Sequence, residues 1–333
     1  MRAVLVKDGK GPIENLYIGE VPEPALGDGD VKVKVKAFGL NRADCAQRMG
    51  SYPGLTSDAI MGLEFSGIVV DVAPGVSGFK SGDEVLGLTV GGAYAEYISV
   101  HASTVLKKAS HLSWAEAAGI PEAFLTAYGI LKRTCELKEG DNVLIHAGAS
   151  GVGIAAIQLA RYFGAKTVIA TASTKDKLGW LLSIPFGATH VSNYKTENFV
   201  DVVKQATDGH GADVVVDPVG QSHWHQNIDA LATDGRMGIL ALMSGSVVKD
   251  ADLKHVLFKR LRIQGSTLRW RDKAYKEKLV GEFSEIMADI TGISGNGKLR
   301  VYIHKVYPWA EIQAATREME DNKNIGKIIA EVV

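Results

Sequence analysis

Cysteine is scarce in this chain of 333 residues, which contains only Cys45 and Cys135. Two cysteines cannot build a disulfide framework, and such scarcity is typical of proteins in a reducing compartment. The sequence also lacks any run of about 18 apolar residues, the length that a membrane-spanning helix needs. It starts as MRAVLVKDGK, a strand-like pattern without a basic-then-apolar leader. We therefore expect a cytoplasmic protein without a membrane segment.

An excess of charge of either sign is absent as well. The chain has 37 Lys and Arg residues against 38 Asp and Glu residues, for a formal net charge of −1. A balanced charge provides no general attraction to nucleic acid or to anionic membranes. Hydrophobic residues make up 46% of the sequence, and at this length they predict two domains with sizeable cores. The 37 glycines are typical of an α/β protein with many tight turns.

Short strands and turns dominate the first part of the chain, up to about residue 112. Residues 31–40 (VKVKVKAFGL) begin with a strict alternation of apolar and polar side chains, as a half-buried strand does. Residues 62–88 predict two more strands, separated by Pro-Gly and Ser-Gly turns. Residues 93–109 continue the pattern. This part predicts a compact all-β barrel.

Strands alternate with helices from Asp141 onward, at the spacing of βαβ units. The predicted strands lie at 142–147, 166–172, 189–194, 212–218, 236–242 and 261–267. Six strands with intervening helices predict a doubly wound parallel sheet. Within the helix that follows the second strand, Pro185 should kink or end the helix.

Two further stretches flank this pattern. The residues after 112 predict two helices with a break at Gly119–Pro121. The last stretch, 268–333, predicts a helix over 273–290, a strand over 299–306, a helix over 308–321 and a final strand. We expect it to complete the first domain.

The segment HAGASGVG (146–153) lies between an apolar strand and an apolar helix. A dinucleotide-binding loop needs a tight turn, bare backbone facing the pyrophosphate, and close helix–strand packing. Gly148 and Gly153 fit the first and third roles, and Gly151 keeps the helix start open. Ser150 replaces the middle glycine of the usual pattern, and its small hydroxyl group can bond a phosphate oxygen. A structural turn is the alternative to a phosphate site at the helix N-terminus. The predicted phosphate-binding residues are Gly148, Ser150, Gly151, Val152 and Gly153.

The end of the second strand bears on the choice between NAD and NADP. A carboxylate about 20 residues after the loop would bind the ribose hydroxyls of NAD and repel a 2′-phosphate. Here the strand ends in Ser173 and Thr174, which can donate hydrogen bonds, and Lys177 adds positive charge. Asp176 belongs to the helix start, where it suits the helix dipole. We expect NADPH; an ordinary capped helix with solvated lysines is the alternative.

With these features the chain resembles the medium-chain dehydrogenases/reductases, and within them the quinone oxidoreductase branch. The resemblance covers nearly the whole chain. It implies a GroES-like β-rich catalytic domain (1–121 and 265–333) and a doubly wound Rossmann domain that binds NADPH (122–264). The segments that carry it are NRADCAQRMGSYPG (41–54), GLEFSG (62–67), IPEAFLTAY (120–128), VLIHAGASGVGIAAIQLAR (143–161), LFKRLRIQGSTLRWRD (257–272) and NKNIGKII (322–329).

The family comparison also bears on zinc. In the zinc alcohol dehydrogenases, the position that matches Asn41 is a cysteine ligand and the position that matches Leu63 is a histidine ligand. Asn and Leu cannot replace thiolate and imidazole in a zinc site, although Glu64 and Asp44 are retained. The four closely spaced cysteines of the structural zinc site are missing too. We expect no metal, and we expect His223 and His225 to be surface residues.

The resemblance further assigns roles to single residues. Tyr194 should flank the 2′-phosphate together with Ser173 and Lys177. Tyr52 matches a family tyrosine at the mouth of the active site, where it donates a proton or only shapes the pocket; the alternative is a surface tyrosine. The residues implied to lie near the nicotinamide, or to approach the cofactor from the other domain, are Asn41, Thr126, Leu242, Met243, Ser244, Asn324 and Lys327.

The implied reaction is NADPH-dependent reduction of quinones, ortho-quinones in particular, by hydride transfer in a zinc-free cleft between the domains. Hydride transfer to a quinone produces a delocalised phenolate that needs little acid strength, so water or the Tyr52 hydroxyl can supply the proton. Asn41 and Tyr52 would position the carbonyl group. The family resemblance also implies a homodimer or tetramer.

Two other readings compete with quinone reduction. Zinc-free relatives reduce the activated C=C bonds of 2-enoyl thioesters or alkenals with NADPH, and they use a tyrosine at a similar position. Other relatives act as lens crystallins or bind RNA, and residues 254–273 are locally basic. The balanced net charge disfavours RNA binding.

Overall fold

A computed structural model of the chain describes residues 1–54, 59–292 and 295–333. The chain folds into two compact units. The first comprises Met1–Leu125 and Asp272–Val333, and the second comprises Thr126–Arg271. The assignment of a catalytic role to one unit and a cofactor role to the other stays a prediction.

Strands form most of the first unit, as the alternating patterns predict. They are β1 (Arg2–Val6), β2 (Leu16–Glu20), β3 (Asp30–Gly39), β4 (Glu64–Val72), β5 (Glu84–Leu88), β6 (Tyr97–His101), β7 (Val105–Lys107), β14 (Ile290–Thr291), β15 (Leu299–Arg300), β16 (Ile303–Pro308) and β17 (Lys327–Glu331). The main sheet has the order β16-β17-β3-β4-β5-β7, and β6 also pairs with β3. β1 pairs with β2, and β14 with β15, in separate two-stranded sheets.

The long strand β3 lies at the centre of the main sheet. Val31, Val33 and Val35 are buried, whereas the lysines between them are more exposed, so the predicted alternation is observed. The first half of β3 pairs with β6 and its last residues pair with β17. The C-terminal stretch of the chain therefore supplies a strand to the N-terminal sheet.

Short helices complete the first unit. They are α1 (Arg42–Arg48), α2 (Trp114–Ala118), the first residues of α3 (Pro121–Tyr128), α9 (Lys273–Ser284) and α10 (Ile312–Glu320). The residues of α3 from Thr126 onward belong to the second unit. The predicted break between α2 and α3 is present, because Gly119 caps α2 and Pro121 begins α3. α9 is shorter than predicted: Ile290 pairs with Leu299 in a strand, and this pairing uses backbone groups that a longer helix would need.

The second unit contains a parallel six-stranded sheet. Its strands are β8 (Asn142–Ile145), β9 (Thr167–Ala172), β10 (His190–Asn193), β11 (Ala212–Asp217), β12 (Leu231–Ile239) and β13 (Arg262–Gly265). The order is β10-β9-β8-β11-β12-β13, and every neighbouring pair is parallel. This is the order of the Rossmann fold, with the topological switch point between β8 and β11. The predicted doubly wound sheet is confirmed.

Helices connect the strands of this sheet. They are α4 (Gly151–Tyr162), α5 (Lys175–Ser183), α6 (Phe199–Ala206), α7 (Trp224–Ala230) and α8 (Lys254–Phe258). A π-helical segment, Gly129–Thr134, follows α3. α5 ends before Pro185 as predicted, because the preceding Ile184 is extended (φ −76°, ψ 148°).

Six short 3-10 helices complete the secondary structure of the described residues. They are Lys7–Gly9, Ile13–Asn15, Ala102–Thr104, Gln221–His223, Met287–Asp289 and Trp309–Glu311.

Candidate active site

The glycine loop after β8 is closely packed against its own helix and the next strand. The Gly148 N–H donates to the Thr171 carbonyl oxygen at 2.9 Å, which ties the loop to β9. A Cβ atom on Gly153 would lie 2.4 Å from the Ala147 carbonyl oxygen, and one on Gly148 would lie 2.9 Å from the Ala170 Cβ. A larger residue at Gly153 would push the helix away from the loop, and one at Gly148 would press on the side chains packed around it. The structure therefore requires glycine at these two positions of the motif.

Ser150 caps the helix that follows this loop. Its Oγ accepts a hydrogen bond from the Gly153 N–H at 3.0 Å, which leaves the hydroxyl hydrogen to be donated. The other N–H groups of the first turn of α4 have no partner within the helix, and with the helix dipole they favour an anion. The first turn, which includes Gly151 and Val152, is half-buried. The loop thus fits the pyrophosphate of a dinucleotide.

The residues predicted for the 2′-phosphate lie at the carboxyl ends of β9 and β10. Thr174 is the N-cap of α5, and its Oγ1 accepts from the Lys177 N–H at 3.3 Å. The Tyr194 N–H donates to the Ala172 carbonyl oxygen at 3.3 Å, so Tyr194 lies beside the end of β9, where Ser173 follows. The structure brings these predicted residues together. The Asp176 carboxylate belongs to the exposed first turn of α5.

The residues predicted near the nicotinamide differ in their surroundings. Leu242 and Met243 are each about half exposed. The Ser244 hydroxyl donates to the Val219 carbonyl oxygen at 2.8 Å and accepts from the Ser222 N–H at 2.9 Å. Ser244 therefore ties the loop after β12 to the loop after β11. Thr126 is half-buried in α3.

A buried polar cluster in the first unit joins Asn41, Glu64 and Lys327. The Lys327 ammonium donates to the Leu40 carbonyl oxygen and to Asn41 Oδ1, both at 2.8 Å, and lies 2.5 Å from Glu64 Oε1. Asn41 Nδ2 donates to Glu64 Oε1 at 3.0 Å. Glu64 Oε2 accepts from the Glu122 N–H in the first turn of α3 at 2.8 Å. The buried carboxylate thus has a counterion and two further donors, as a buried charge requires.

The hydrogen bonds of this cluster engage the polar atoms of its members, whose predicted roles stay predictions. The amide hydrogens of Asn41 are directed to Glu64 and, at 3.3 Å, to the Gly39 carbonyl oxygen. The three ammonium hydrogens of Lys327 have acceptors within the first unit, and Lys327 is 5% exposed. Asn324 Nδ2 donates to the nearby Gly326 carbonyl oxygen at 2.7 Å. The sequence pattern did not predict that Asn41 and Lys327 bond each other.

The start of α1, next to this cluster, is held by the buried Asp44. Its Oδ2 accepts from the Asn41 N–H and from the Tyr94 hydroxyl, both at 2.9 Å, and its Oδ1 accepts from the Gly62 N–H at 3.2 Å. Burial beside this carboxylate raises the pKa of Tyr94 well above its ordinary value, so Tyr94 is a structural hydrogen-bond donor. Tyr52 follows α1 and is half-buried, with its N–H donating to the Ala46 carbonyl oxygen at 3.2 Å.

The positions compared with zinc ligands do not fit a zinc ion. The Lys327 ammonium bonds the oxygen atoms of Asn41 and Glu64, and the buried Leu63 has no donor atom. Across residues 1–54, 59–292 and 295–333, no group of three or more His, Cys, Asp or Glu side chains is arranged to hold a metal.

Cys45 and Cys135 do not form a disulfide bond with each other, and both are free thiols. Burial raises the pKa of both Cys45 and Cys135 to about 12, so neither is a reactive thiolate near neutral pH. The cytoplasmic assignment stays a prediction.

The basic stretch near β13 is extensively paired. Arg260 bonds Asp234 through two hydrogen bonds, and Arg262 bonds Glu136 in the same way. The Lys259 ammonium donates to three carbonyl oxygens at the end of α7. Lys259, Arg260 and Arg262 are thus bonded within the second unit, and the expectation that the chain binds no nucleic acid stays a prediction.

Three groups at this end of the second unit were not predicted from the sequence as functional. His146, directly before the glycine loop, and His223 are both buried, so the prediction of a surface position for His223 is wrong. The two rings lie 4.7 Å apart, and His223 also packs against Phe199. Asp217 at the end of β11 is fully buried. Sequence periodicity could not identify His146 as a buried polar residue, because its burial depends on which distant residues cover the end of the strand. Its position directly before the glycine loop was the only available signal.

Comparison with known proteins gives two family matches. The alcohol dehydrogenase GroES-like domain matches residues 27–110, and the zinc-binding dehydrogenase family matches residues 151–285. The first match lies within the first unit. The second covers most of the second unit and extends into α9.

Relatives and solved structures match over nearly the full length. The synaptic vesicle membrane protein VAT-1 homologue of Rattus norvegicus is 30% identical, over 98% of this chain and 83% of its own. A structure of an NAD-dependent alcohol dehydrogenase is 33% identical, with a TM-score of 0.86 over all of both chains. Escherichia coli quinone oxidoreductase complexed with NADPH is 28% identical, with a TM-score of 0.87 over all of both chains. CurK enoyl reductase is 28% identical, with a TM-score of 0.87 over 99% of each chain.

The β-rich unit, the Rossmann sheet and the glycine loop define a two-domain oxidoreductase with a GroES-like and a dinucleotide-binding domain. The chain belongs to the medium-chain dehydrogenase/reductase superfamily. The predicted resemblance to quinone oxidoreductases is confirmed by the structural neighbours, and NADPH is confirmed as a cofactor of this fold.

In the part of the chain that the structure describes, no helix combines the length and apolar character needed to cross a membrane.

The Lys327–Glu64 pair leads to a stability prediction. Lys327→Met leaves the Glu64 carboxylate buried without its counterion, so the free energy of unfolding should fall by about 3 kcal/mol. Adding Glu64→Gln should recover part of this loss, because a neutral amide needs no counterion. Urea unfolding followed by circular dichroism measures both effects.

The matched control is Lys323→Met, which removes an exposed lysine paired with Asp321. An exposed ion pair contributes at most about 1 kcal/mol. Equal losses for the two lysine variants would show that the buried pair has no special contribution.

Proposed function

We propose that this chain is an NADPH-dependent reductase of quinones, with ortho-quinones as its favoured substrates. The observation that carries the proposal is the loop at the switch point of the Rossmann sheet. It has glycine where a Cβ would strike backbone or a packed side chain, and it is followed by a strand β9 that ends without a carboxylate. The likeness to a quinone oxidoreductase supports the choice of substrate.

The residues proposed to hold NADPH follow the carboxyl ends of β8, β9 and β10 in the second unit. The first turn of α4, with Ser150, would bind the pyrophosphate. Ser173, Thr174, Lys177 and Tyr194 would surround the 2′-phosphate, where hydroxyl donors and an ammonium suit a dianion. When bound, NADPH supplies a hydride; the protein orients the reactants and excludes water.

In the first unit, the polar groups would position a substrate rather than provide strong acid. Lys327, Glu64 and Asn41 are bonded to one another, so the Asn41 amide has a fixed orientation. A substrate carbonyl would have to share an amide hydrogen that Glu64 or Gly39 accepts. A phenolate formed from a quinone is delocalised and needs only a weak acid for protonation. The Tyr52 hydroxyl or a water molecule would be sufficient as that acid.

The second candidate function is reduction of activated C=C bonds in 2-enoyl thioesters or alkenals. It is supported by the likeness to CurK enoyl reductase over 99% of both chains. The same cofactor residues would serve it. The enolate formed from a thioester must be protonated at carbon, which places a greater demand on a positioned acid such as Tyr52.

A direct comparison of substrates tests the activity. We expect the purified protein with NADPH to have a higher kcat/KM for ortho-naphthoquinone than for crotonyl-CoA, measured by loss of NADPH absorbance. Faster turnover of the thioester would contradict quinone reduction and favour the second function. Tyr52→Phe should slow the thioester reaction more than the quinone reaction, because the phenolate can be protonated by water.

A cofactor titration tests the choice of nucleotide. NADPH should bind at least about tenfold more tightly than NADH in a fluorescence titration, since charged hydrogen bonds to a phosphate contribute about 1.5 to 3 kcal/mol. Lys177→Ala should weaken NADPH binding and leave NADH binding unchanged. The control is Lys175→Ala, an exposed lysine of the same helix turn. Equal affinity of the unaltered protein for NADH would contradict the proposal.

We also propose that the chain forms a homodimer, with a tetramer as the alternative, through the β13 edge of the second unit. Among the described strands, β13 pairs only with β12, so its other edge is open to a strand of a second copy. The neighbouring helix α8 exposes Leu257 and Phe258 by 71% and 70%. Exposed apolar groups beside an open edge are typical of an interface.

Light scattering after size exclusion tests this association. We expect about twice the chain mass of 35.6 kDa for the unaltered protein, and a shift toward the monomer for Phe258→Glu. Phe186→Glu, at an exposed position elsewhere on the second unit, should leave the mass unchanged. A monomeric unaltered protein would refute the proposed interface.

A further inference from the structure

Four fully buried polar side chains form a continuous chain at the switch point of the Rossmann sheet. Thr171 Oγ1 lies 3.0 Å from His146 Nδ1, and His146 Nε2 lies 2.7 Å from Asn227 Oδ1. Asn227 Nδ2 donates to Asp217 Oδ2 at 3.1 Å. None of the four is more than 1% exposed. The proposed chemistry has not used any of these side chains.

The hydrogen bonds that join these four side chains all donate in one direction, from Thr171 toward Asp217. The Asp217 carboxylate can only accept, so Asn227 must turn its NH₂ group toward Asp217 and its oxygen toward His146. His146 must then carry its proton on Nε2 to bond Asn227, and its Nδ1 accepts from the Thr171 hydroxyl. Asp217 therefore sets the amide orientation and the imidazole tautomer.

The chain connects three neighbouring strand ends. His146 follows β8, Thr171 is in β9, and Asp217 ends β11. The switch point between β8 and β11 is where a doubly wound sheet binds its ligand. On one side, His146 leads directly into the glycine loop, and Thr171 accepts the Gly148 N–H through its carbonyl oxygen.

On the other side, the hydrogen-bonded network fixes the backbone conformation of the turn after β11. Asp217 Oδ1 accepts from the N–H groups of Val219 and Gly220 at 2.7 Å and 3.1 Å. The Val219 carbonyl oxygen in turn accepts from the Ser244 hydroxyl. The loops predicted for the pyrophosphate and for the nicotinamide are thus joined through one network, which is buried except for its last link, the exposed Ser244.

The surroundings keep the histidine uncharged. Burial lowers the pKa of His146 to about 4. His223, whose ring faces it at 4.7 Å, also has a pKa lowered to about 4, by burial and by His146. Asp217, beyond Asn227, has its pKa raised by burial. Protonation of His146 thus favours the unfolded chain, and its contribution to stability is complete above pH 6.5 and is lost as the pH falls toward 4.

We propose that His146, Asn227, Asp217 and Thr171 are positioning residues for the cofactor, which hold the glycine loop and the turn after β11 in the conformation that binds NADPH. This inference rests on the proposed function, because it assumes that the loops bind NADPH. The residues act through the loops they connect. Loss of one link should therefore weaken nucleotide binding without removing a contact to the nucleotide.

The test compares two asparagines near opposite ends of β8. Asn227→Leu interrupts the hydrogen-bonded network near the carboxyl end of β8. Asn142→Leu removes a partly buried hydrogen bond to Asp213 at the amino end, away from the loops. NADPH fluorescence should give a dissociation constant raised about tenfold for Asn227→Leu and within about twofold of the unaltered protein for Asn142→Leu. Thermal unfolding shows whether both variants lose similar stability.

A milder pair of variants keeps the test decisive if Asn227→Leu does not fold. Thr171→Val preserves shape and removes the hydroxyl group, so it should raise the dissociation constant several-fold, whereas Thr171→Ser should restore it. Nitrogen NMR of the unaltered protein should find neutral His146 with its proton on Nε2. A proton on Nδ1 would contradict the assigned direction of the hydrogen bonds from Thr171 to Asp217.

The outcomes separate the two proposals. If the unaltered protein does not bind NADPH, the proposed function fails and this inference fails with it. If the unaltered protein binds NADPH and the folded Asn227→Leu and Thr171→Val variants bind it equally well, only the inference is overturned. Equal weakening by Asn142→Leu and Asn227→Leu would also overturn it, because the effect would then be a general loss of stability.

Discussion

The pairing of β17 with β3 is the constraint on which the polar centre of the first unit depends. These strands are separated by almost the whole chain, yet Ile329 lies opposite Gly39. This register puts Lys327 beside the end of β3, and β4 on the other side of β3 begins with Glu64. Three neighbouring strands therefore bring an ammonium, an amide and a carboxylate within hydrogen-bond distance. A buried carboxylate is stable only with such partners.

The second unit also buries polar side chains, at the carboxyl ends of its parallel strands, and each of them needs a hydrogen-bond partner. The strand order brings the ends of β8, β9 and β11 together, and each contributes a buried polar side chain. Their donors and acceptors match in one direction toward Asp217, so no member lacks a partner along the chain. The same edge of the sheet carries the glycine loop. Rigid, satisfied polar groups under a binding loop reduce the ordering that a ligand must impose.

Much of the architecture could be predicted from local patterns. Alternation in β3, βαβ spacing after Asp141 and the glycine loop each depend on residues close in sequence. The first two were confirmed, and the phosphate-binding role of the loop stays a prediction. Capping residues such as Ser150 and Thr174, and the helix end before Pro185, are also local. The site residues were harder. In the structure the Lys327 ammonium is bonded to Leu40, Asn41 and Glu64, and its predicted approach to the cofactor stays a prediction. His223 was expected at the surface and is buried.

The sequence by itself determined the class of protein: the strand and helix periodicities and the glycine loop predict a Rossmann sheet, and the resemblance of whole segments to known sequences implies a medium-chain reductase. Motifs of this kind are readable because their residues act on neighbours within one turn or one strand. Only the tertiary structure decided which polar groups face each other, as with Lys327 and Glu64, or His146 and Asn227. Those pairings depend on strand order and register, which bring together residues far apart in the chain, and burial then makes each hydrogen bond obligatory.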